Sequence, residues 1–160
     1  MQQVIQGKLV NLQDKKRLLT KVQRVLINRK CNRPNVVTNF EMKDIFIEND
    51  LSGLDLRDIS DTKVIRLLSS DIVVFNDEAY RYYLVQFLEQ FYLDEESVFL
   101  LMFIQALFES NQLSKNSKRY LQFTQDEIEV ILDFLKFPFE DNDFPEETLK
   151  AIVFWEQKIL

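Results

Sequence analysis

The stretch NDEAYRYYLVQFLEQFY, residues 76–92, carries the strongest fold signal in this sequence of 160 residues. Asn76 is a preferred N-cap residue, and the two acids that follow it suit the positive end of a helix dipole. The stretch therefore predicts a helix whose apolar stripe faces the core. The stripe consists of Tyr80, Leu84, Phe87, Leu88 and Phe91.

The same stretch supports a second interpretation, because Tyr and Arg are favoured anchors at protein interfaces. Arg81 and Tyr82 lie off the apolar stripe, and Tyr92 ends the pattern. With Phe144, further along the chain, these residues are our candidate contacts for a partner protein. Packing in the core is the competing interpretation of the tyrosines.

Helix signals continue on the C-terminal side of this stretch. Thr124 and Glu127 have the spacing of a capping box, which predicts another helix start. Asp94 is a second candidate cap, for an apolar helix extending over about 94–110. A proline in the first turn predicts an acidic C-terminal helix over about 145–158.

The N-terminal side is basic and then irregular. Aliphatic residues at helical spacing predict a basic helix over about 11–28. Segment 31–75 lacks a clear period. We expect a short helix near 54–58 there, a second helix after residue 60 or 61, and an extended buried link at 71–75.

The composition favours helices throughout. The chain has only two Gly and three Pro, whereas hairpin-rich folds need such residues at many turns. Its length is that of one domain. We therefore predict an all-α fold, a compact single-domain bundle of about six or seven helices over residues 1–160. Its motif core covers about 71–137.

The residue types of common catalytic and metal sites are scarce. There is no histidine, one cysteine (Cys31), and no glycine-rich phosphate loop. The acidic run 140–147 lacks the order and the glycine of a calcium loop. We therefore expect no enzyme activity, no cofactor and no metal.

The location of the protein follows from similar observations. A single cysteine forms no internal disulfide, which fits a reducing compartment. The N-terminus shows no secretory signal, and no apolar run approaches the ~20 residues of a membrane span. We expect a cytoplasmic protein.

Charge is strongly segregated along the chain. Residues 1–40 hold nine Lys/Arg and one acid, a balance of +8, whereas residues 124–156 hold ten acids and two lysines, a balance of −8. Such asymmetry suggests an acidic surface that steers a basic partner. The acids that we assign to this surface are Glu127, Asp133, Glu140, Asp141, Asp143, Glu146 and Glu147.

The basic helix over about 11–28 leaves alternatives open. Its apolar stripe can dock on the core while its charges face the acidic remainder of the chain. It can also follow phosphates or bind a protein or membrane surface. It contains no aromatic residue for base stacking, so we expect little binding of nucleic acid.

Two short motifs resemble an uncharacterised bacterial family. EAYRYYL at 78–84 is similar to its A-[FY]-R-[FY]-Y-L motif, and FTQDEIEVILDFL at 123–135 to F-T-x-x-[EQ] leading into a helix that ends in F-L. The likeness covers roughly 71–137, with Val85 where the family usually has Pro. The family has no established activity. Because its members resemble small proteins found beside bacterial toxins, the resemblance implies an immunity role.

These observations favour a non-catalytic protein-binding module. In its most specific form, the hypothesis is an immunity protein that neutralises a basic toxin domain through the acidic surface. The alternative is a nucleic-acid-associated regulator that uses the basic helix. The identity of the partner and the oligomeric state stay open.

Overall fold

The computed structural model describes residues 2–38, 45–94, 98–108, 118–139 and 144–159. Within these ranges the chain forms eight α-helices, two 3₁₀ turns and one isolated β-bridge, between Thr38 and Phe75. The predicted all-α fold is confirmed. The helices are α1 (Gln2–Asn28), α2 (Ile45–Leu51), α3 (Thr62–Ser70), α4 (Asp77–Leu93), α5 (Leu100–Ala106), α6 (Lys118–Leu121), α7 (Gln125–Lys136) and α8 (Pro145–Glu156). The 3₁₀ turns are Leu56–Asp58 and Ile72–Val74.

The opening stretch forms α4, the central helix. Asn76 caps it, because its side chain accepts a hydrogen bond from the Ala79 N–H at 2.8 Å. The helix runs without interruption through Val85. It packs against α1, α6, α7 and both 3₁₀ turns. This position explains why twelve of its seventeen residues are buried.

An aromatic core joins α4 to α5 and α7. The Phe103 ring lies 5.9 Å from Phe87, 4.8 Å from Phe91 and 5.7 Å from Phe134, measured between centroids. These spacings are typical of stabilising aromatic pairs. The predicted apolar stripe of α4 therefore faces the core, as its period indicated.

A second aromatic cluster joins α4 to α6 and α8. Tyr120 makes edge contacts with Tyr80, Phe154 and Trp155 at centroid distances of 5.7, 4.8 and 5.9 Å. The Trp155 indole N–H donates to the Leu107 carbonyl at 2.8 Å. The buried indole therefore has the hydrogen-bond partner that burial requires.

Helix α1 is longer than its sequence pattern predicted. It begins at Gln2, so residue 11, where the predicted helix starts, lies inside the observed helix. Gly7 has the lowest helix propensity among the residues before Asn11, at a cost of about 1 kcal/mol relative to Ala. Leu18 and Val22 are buried, and α1 packs on α4 and α7. The docking of this helix on the core is confirmed.

The apolar helix after α4 is shorter than predicted. Asp94 ends α4, and both of its carboxylate oxygens accept hydrogen bonds from Arg66 at 2.7 and 2.8 Å. The described helix there is α5, which the chain enters through Phe99 at a φ of 66°. Met102 is 47% exposed, so α4 rather than α5 is the enclosed centre of the bundle.

Segment 31–75 is more regular than predicted. Its short helical turn at Leu56–Asp58 and its helix α3, capped by Asp61, are confirmed. The expected extended link at 71–75 instead contains the 3₁₀ turn Ile72–Val74. Ile72 and Phe75 are three positions apart and both buried. A 3₁₀ turn brings such residues to the same side, whereas an extended chain would point them to opposite sides. The segment also contains α2, and α2 and the four-residue α6 raise the helix count above the expected six or seven.

The remaining helix boundaries follow their caps. Thr124 caps α7. Its hydroxyl accepts a hydrogen bond from the Glu127 N–H at 3.2 Å, and Glu127 Oε1 accepts one from the Thr124 N–H at 3.0 Å. The predicted capping box is confirmed. Helix α8 begins at Pro145 as predicted and ends two residues early, at Glu156. No helix in the described ranges is both long and apolar enough to cross a membrane.

Candidate partner-binding surface

The polar side of α4 binds the irregular segment 51–58. The Tyr83 hydroxyl lies 3.0 Å from the Leu51 carbonyl and 2.7 Å from the Leu54 carbonyl. Between them, Gly53 takes a φ of 71°, which only glycine adopts without strain. Burial raises the pKa of Tyr83, so the hydroxyl stays protonated and able to donate.

Two further α4 side chains continue this contact. Gln86 accepts the Leu56 N–H at 2.8 Å and donates to Asp55 at 3.0 Å. Both oxygens of the buried Glu89 accept hydrogen bonds from Arg57, at 2.9 and 2.7 Å. We call the set Tyr82, Tyr83, Gln86 and Glu89 the α4 clamp.

Tyr82 belongs to the clamp rather than to an exposed recognition patch. Its hydroxyl donates to Asp55 at 2.5 Å, and its ring is covered by Arg29, whose guanidinium carbon lies 4.1 Å from the centroid. Only 7% of Tyr82 is exposed, which corrects its placement at the surface. The off-stripe position had suggested exposure, but α4 is covered on that side by segment 51–58.

Asp55 is the charged centre of this contact. Burial opposes its ionisation, but hydrogen bonds from Tyr82 and Gln86 and the pairing with Arg33 outweigh burial and lower the pKa of Asp55. The same carboxylate helps burial to raise the pKa of Tyr82. Asp55 is therefore an ionised acceptor for three donors.

Tyr92 is also part of the interior. It is 3% exposed and contacts the rings of Phe134, Phe137 and Phe139 at centroid distances of 5.6, 5.7 and 5.6 Å. Burial raises the pKa of its hydroxyl. The structure corrects its placement as a surface anchor, because α7 and the residues after it enclose the ring.

Phe144, the remaining aromatic candidate, is half-buried at the start of α8.

The predicted acidic surface is only partly exposed. Glu127 is fully buried, which corrects its placement on that surface. Asp133 is half-buried and accepts a hydrogen bond from Lys21 of α1 at 2.8 Å. Glu146 is exposed, and Glu147 is half-buried, 3.9 Å from Lys150. The other three predicted acids, Glu140, Asp141 and Asp143, lie outside the described residues.

Arg81 explains the burial of Glu127. Its Nη2 lies 3.2 Å from Glu127 Oε1, and the arginine side chain is 21% exposed while the glutamate is fully enclosed. A buried carboxylate needs such a charged partner. Arg81 therefore has a structural partner that the sequence analysis did not predict, and its side chain stays partly exposed.

Cationic side chains gather along the outer face of α1. They form a shallow depression with a volume of about 410 Å³, which we call the basic groove. Its lining residues are Lys16, Arg17, Thr20, Lys21 and Arg24. Lys16, Thr20 and Arg24 are exposed and recur every fourth residue, so they share one face of the helix.

A second, more enclosed depression continues the basic groove where α1 ends and α7 begins. Its volume is about 430 Å³, and we call it the α1–α7 cleft. It shares Lys21 and Arg24 with the groove. Its other lining residues are Val25, Asn28, Arg29, Lys30, Arg81, Thr124, Asp126 and Glu129.

Not all of these cations are neutralised within the protein. Lys21 pairs with Asp133 and Glu129, and Arg17 pairs with Asp14. Lys16, Arg24 and Lys30 are exposed and have no ion-pair partner in the part of the chain that the structure describes. These three residues are therefore available to an external anion.

The thiol of the single cysteine is not activated by its surroundings. Cys31 is half-buried, and burial raises the pKa of its thiol despite the opposing charges of Arg29 and Arg81. A thiol held protonated is a poor nucleophile. No three His, Cys, Asp or Glu side chains come together as metal ligands among the described residues.

Comparison of the chain with protein-family models, curated protein sequences and solved structures finds no match. The resemblance of residues 71–137 to a bacterial family therefore stays a prediction.

Proposed function

We propose that this protein is a non-catalytic binding module that captures another protein in the cytoplasm, with the basic groove and the α1–α7 cleft as its contact surface. The supporting observation is the set of exposed cations Lys16, Arg24 and Lys30 beside two concave surfaces, and none of these three cations pairs with an acid among the described residues. Such charges raise the rate of encounter with an acidic surface.

The chemistry of the surface favours a protein over a nucleic acid. Asp126 and Glu129 line the α1–α7 cleft and would repel a phosphate backbone, whereas a protein can offer charges of both signs. No aromatic side chain is among the described residues that line either surface, so the described lining offers bases no stacking platform. The net charge of −6 also opposes a polyanion.

The proposal can be tested by affinity capture from the cell that makes the protein. The bait is the wild-type chain or the triple variant Lys16→Gln, Arg24→Gln, Lys30→Gln, and the bound material is identified by mass spectrometry. We expect a protein that the wild type retains and the triple variant loses. Capture that a nuclease abolishes would instead indicate the nucleic-acid alternative.

The acidic surface is the second candidate, supported by the exposure of Glu146 on α8. Its matched variant is Glu146→Gln with Glu147→Gln, which changes charge on α8 and leaves α1 intact. If this pair rather than the α1 triple releases the captured protein, the acidic surface is the contact and the partner is basic.

Neutralisation of a toxin is the specific form of the proposal that the family resemblance suggests. It predicts that the captured protein arrests growth when expressed alone. Coexpression with the wild-type chain should restore growth, and coexpression with the variant that releases the protein should not. A captured protein without any effect on growth would leave a binding module without an immunity role.

A further inference from the structure

Two arginines that line the α1–α7 cleft are fixed in orientation by contacts with other residues of the protein. Arg29 donates to the Tyr82 carbonyl at 2.6 Å, and its guanidinium lies over the Tyr82 ring. Arg81 is held by Glu127, whose Oε1 also accepts the Thr124 N–H. Because each guanidinium is already oriented, the arginine side chains lose less conformational entropy when they bind a ligand.

The sign of the cleft is set by side chains rather than by helix dipoles. The C-terminal end of α1 and the N-terminal end of α7 meet there, so their opposite half-charges offset each other. The lining contains five basic and two acidic side chains, and two of the cations, Lys21 and Arg81, are also paired with Asp133 and Glu127. With these two partners counted, five cations face four carboxylates, a formal balance of +1. In a chain of net charge −6, this cleft is a local positive site.

We propose that the α1–α7 cleft binds a side-chain carboxylate from an acidic segment of the partner protein, an inference that rests on the proposed function. A carboxylate matches the planar fork of a fixed guanidinium. It carries a single charge, so it meets less repulsion from Asp126 and Glu129 than a phosphate dianion would. The exposed Arg24 and Lys30 contribute the steering charge at the rim.

The test uses a fluorescein-labelled hexaglutamate peptide with an amidated C-terminus, and its binding is measured by fluorescence anisotropy at several salt concentrations. We expect saturable, salt-dependent binding that weakens by about tenfold or more in Arg24→Gln with Lys30→Gln. The matched control is Lys63→Gln, because Lys63 is exposed on α3, which does not line the cleft. This control should bind as the wild type does.

A second double variant tests the contribution of Arg81. Arg81→Gln combined with Glu127→Gln removes both charges of the buried pair and leaves an amide pair in their place. Circular dichroism and thermal unfolding establish that the variant is folded, and its peptide affinity should fall at least as far as that of the rim variant. A folded variant with wild-type affinity would overturn the role of Arg81.

Several results would overturn the proposal. One is the absence of saturable peptide binding, and another is an equal loss in Lys63→Gln, which would indicate general charge attraction. Displacement of the peptide by inorganic phosphate at lower concentrations than by acetate would indicate a phosphate site. If the peptide fails while the captured protein still depends on Lys16, Arg24 and Lys30, only the carboxylate inference falls and the proposed function stands.

Discussion

Two sides of the same helix stabilise this protein in different ways. One side of α4 presents Phe87 and Phe91, which pack against Phe103 and Phe134 from α5 and α7. The other side presents the α4 clamp, whose hydroxyl, amide and carboxylate groups bind segment 51–58. The ring side holds helices against helices, whereas the clamp holds a segment with little regular structure.

The two kinds of contact differ in how strictly they depend on the positions of individual atoms. Burial of rings is nondirectional and depends mainly on apolar area and fit. A buried amide or carboxylate needs a partner at the right atom, because an unsatisfied polar group costs about 1–3 kcal/mol. Segment 51–58 therefore depends on a few matched atoms in addition to the buried side chains of Leu51 and Leu56, and each polar contact can be removed singly.

The largest effect is expected on the ring side. Phe103→Ala removes the ring at the centre of the first aromatic cluster and should lower the free energy of unfolding by about 3–5 kcal/mol. Its neighbour Met102, 47% exposed on the same helix, is the matched control. Met102→Ala should change stability by less than about 0.5 kcal/mol. Urea denaturation of both variants measures this, and similar losses would show that α5 is oriented differently.

A smaller effect is expected in the clamp. Gln86→Leu keeps the size of the side chain but leaves the Leu56 N–H without its acceptor, and it should cost about 1–3 kcal/mol. The half-buried Gln90, one turn later, provides the control Gln90→Leu. If Gln86→Leu is as stable as the wild type, segment 51–58 is held by its apolar contacts and the distinction between the two sides fails.

The clamp should also respond to acid, through Asp55. Its folded-state pKa lies below the unfolded value of about 3.9, so its contribution to stability is present above that pH and is lost as the pH falls through the lower folded value. Asp55→Asn should therefore differ most from the wild type at neutral pH and converge with it in acid. Partial exposure keeps the effect below that of Gln86→Leu. A difference that does not change with pH would exclude an ionised Asp55 as the cause.

The smallest effect on stability is expected on α1, which sharpens the contrast between structural and surface polar groups. The triple variant Lys16→Gln, Arg24→Gln, Lys30→Gln alters exposed side chains without described ion pairs and should shift stability by less than about 0.5 kcal/mol. Thermal unfolding measures this. A larger loss would mean that these charges support the fold, and any loss of binding in the variant would need that explanation first.

Several features of the fold could be predicted because they depend on neighbours in the sequence. Asn76, Asp61 and Thr124 cap their helices through hydrogen bonds to residues two or three positions away. The stripe of α4 follows from the helical period alone. The helix predicted to start at Asp94 is described only from Leu100, because residues 95–97 lie outside the described ranges. The pairing of Asp94 with Arg66, 28 residues away, could not be predicted from neighbours in the sequence.

The candidate site was less predictable from the same information. Glu127 has the spacing of a surface capping box, yet Arg81 from α4 meets it in the interior. Tyr82 has the composition of an interface anchor, yet segment 51–58 and Arg29 cover it. The basic residues of α1 were visible in the sequence, but the cleft that they share with α7 was not.

The all-α class, the starts of α3, α4, α7 and α8, and the separation of basic from acidic charge could all be predicted along the chain, since they follow from composition, caps and period. Which polar residues are buried partners and which remain available at the surface depends on the packing of the helices. The physical reason is that caps and periods act over three or four residues, whereas burial and charge pairing depend on which helices meet. Lys21 and Arg24 lie on the same helix, yet only Lys21 finds Asp133 across the interface with α7.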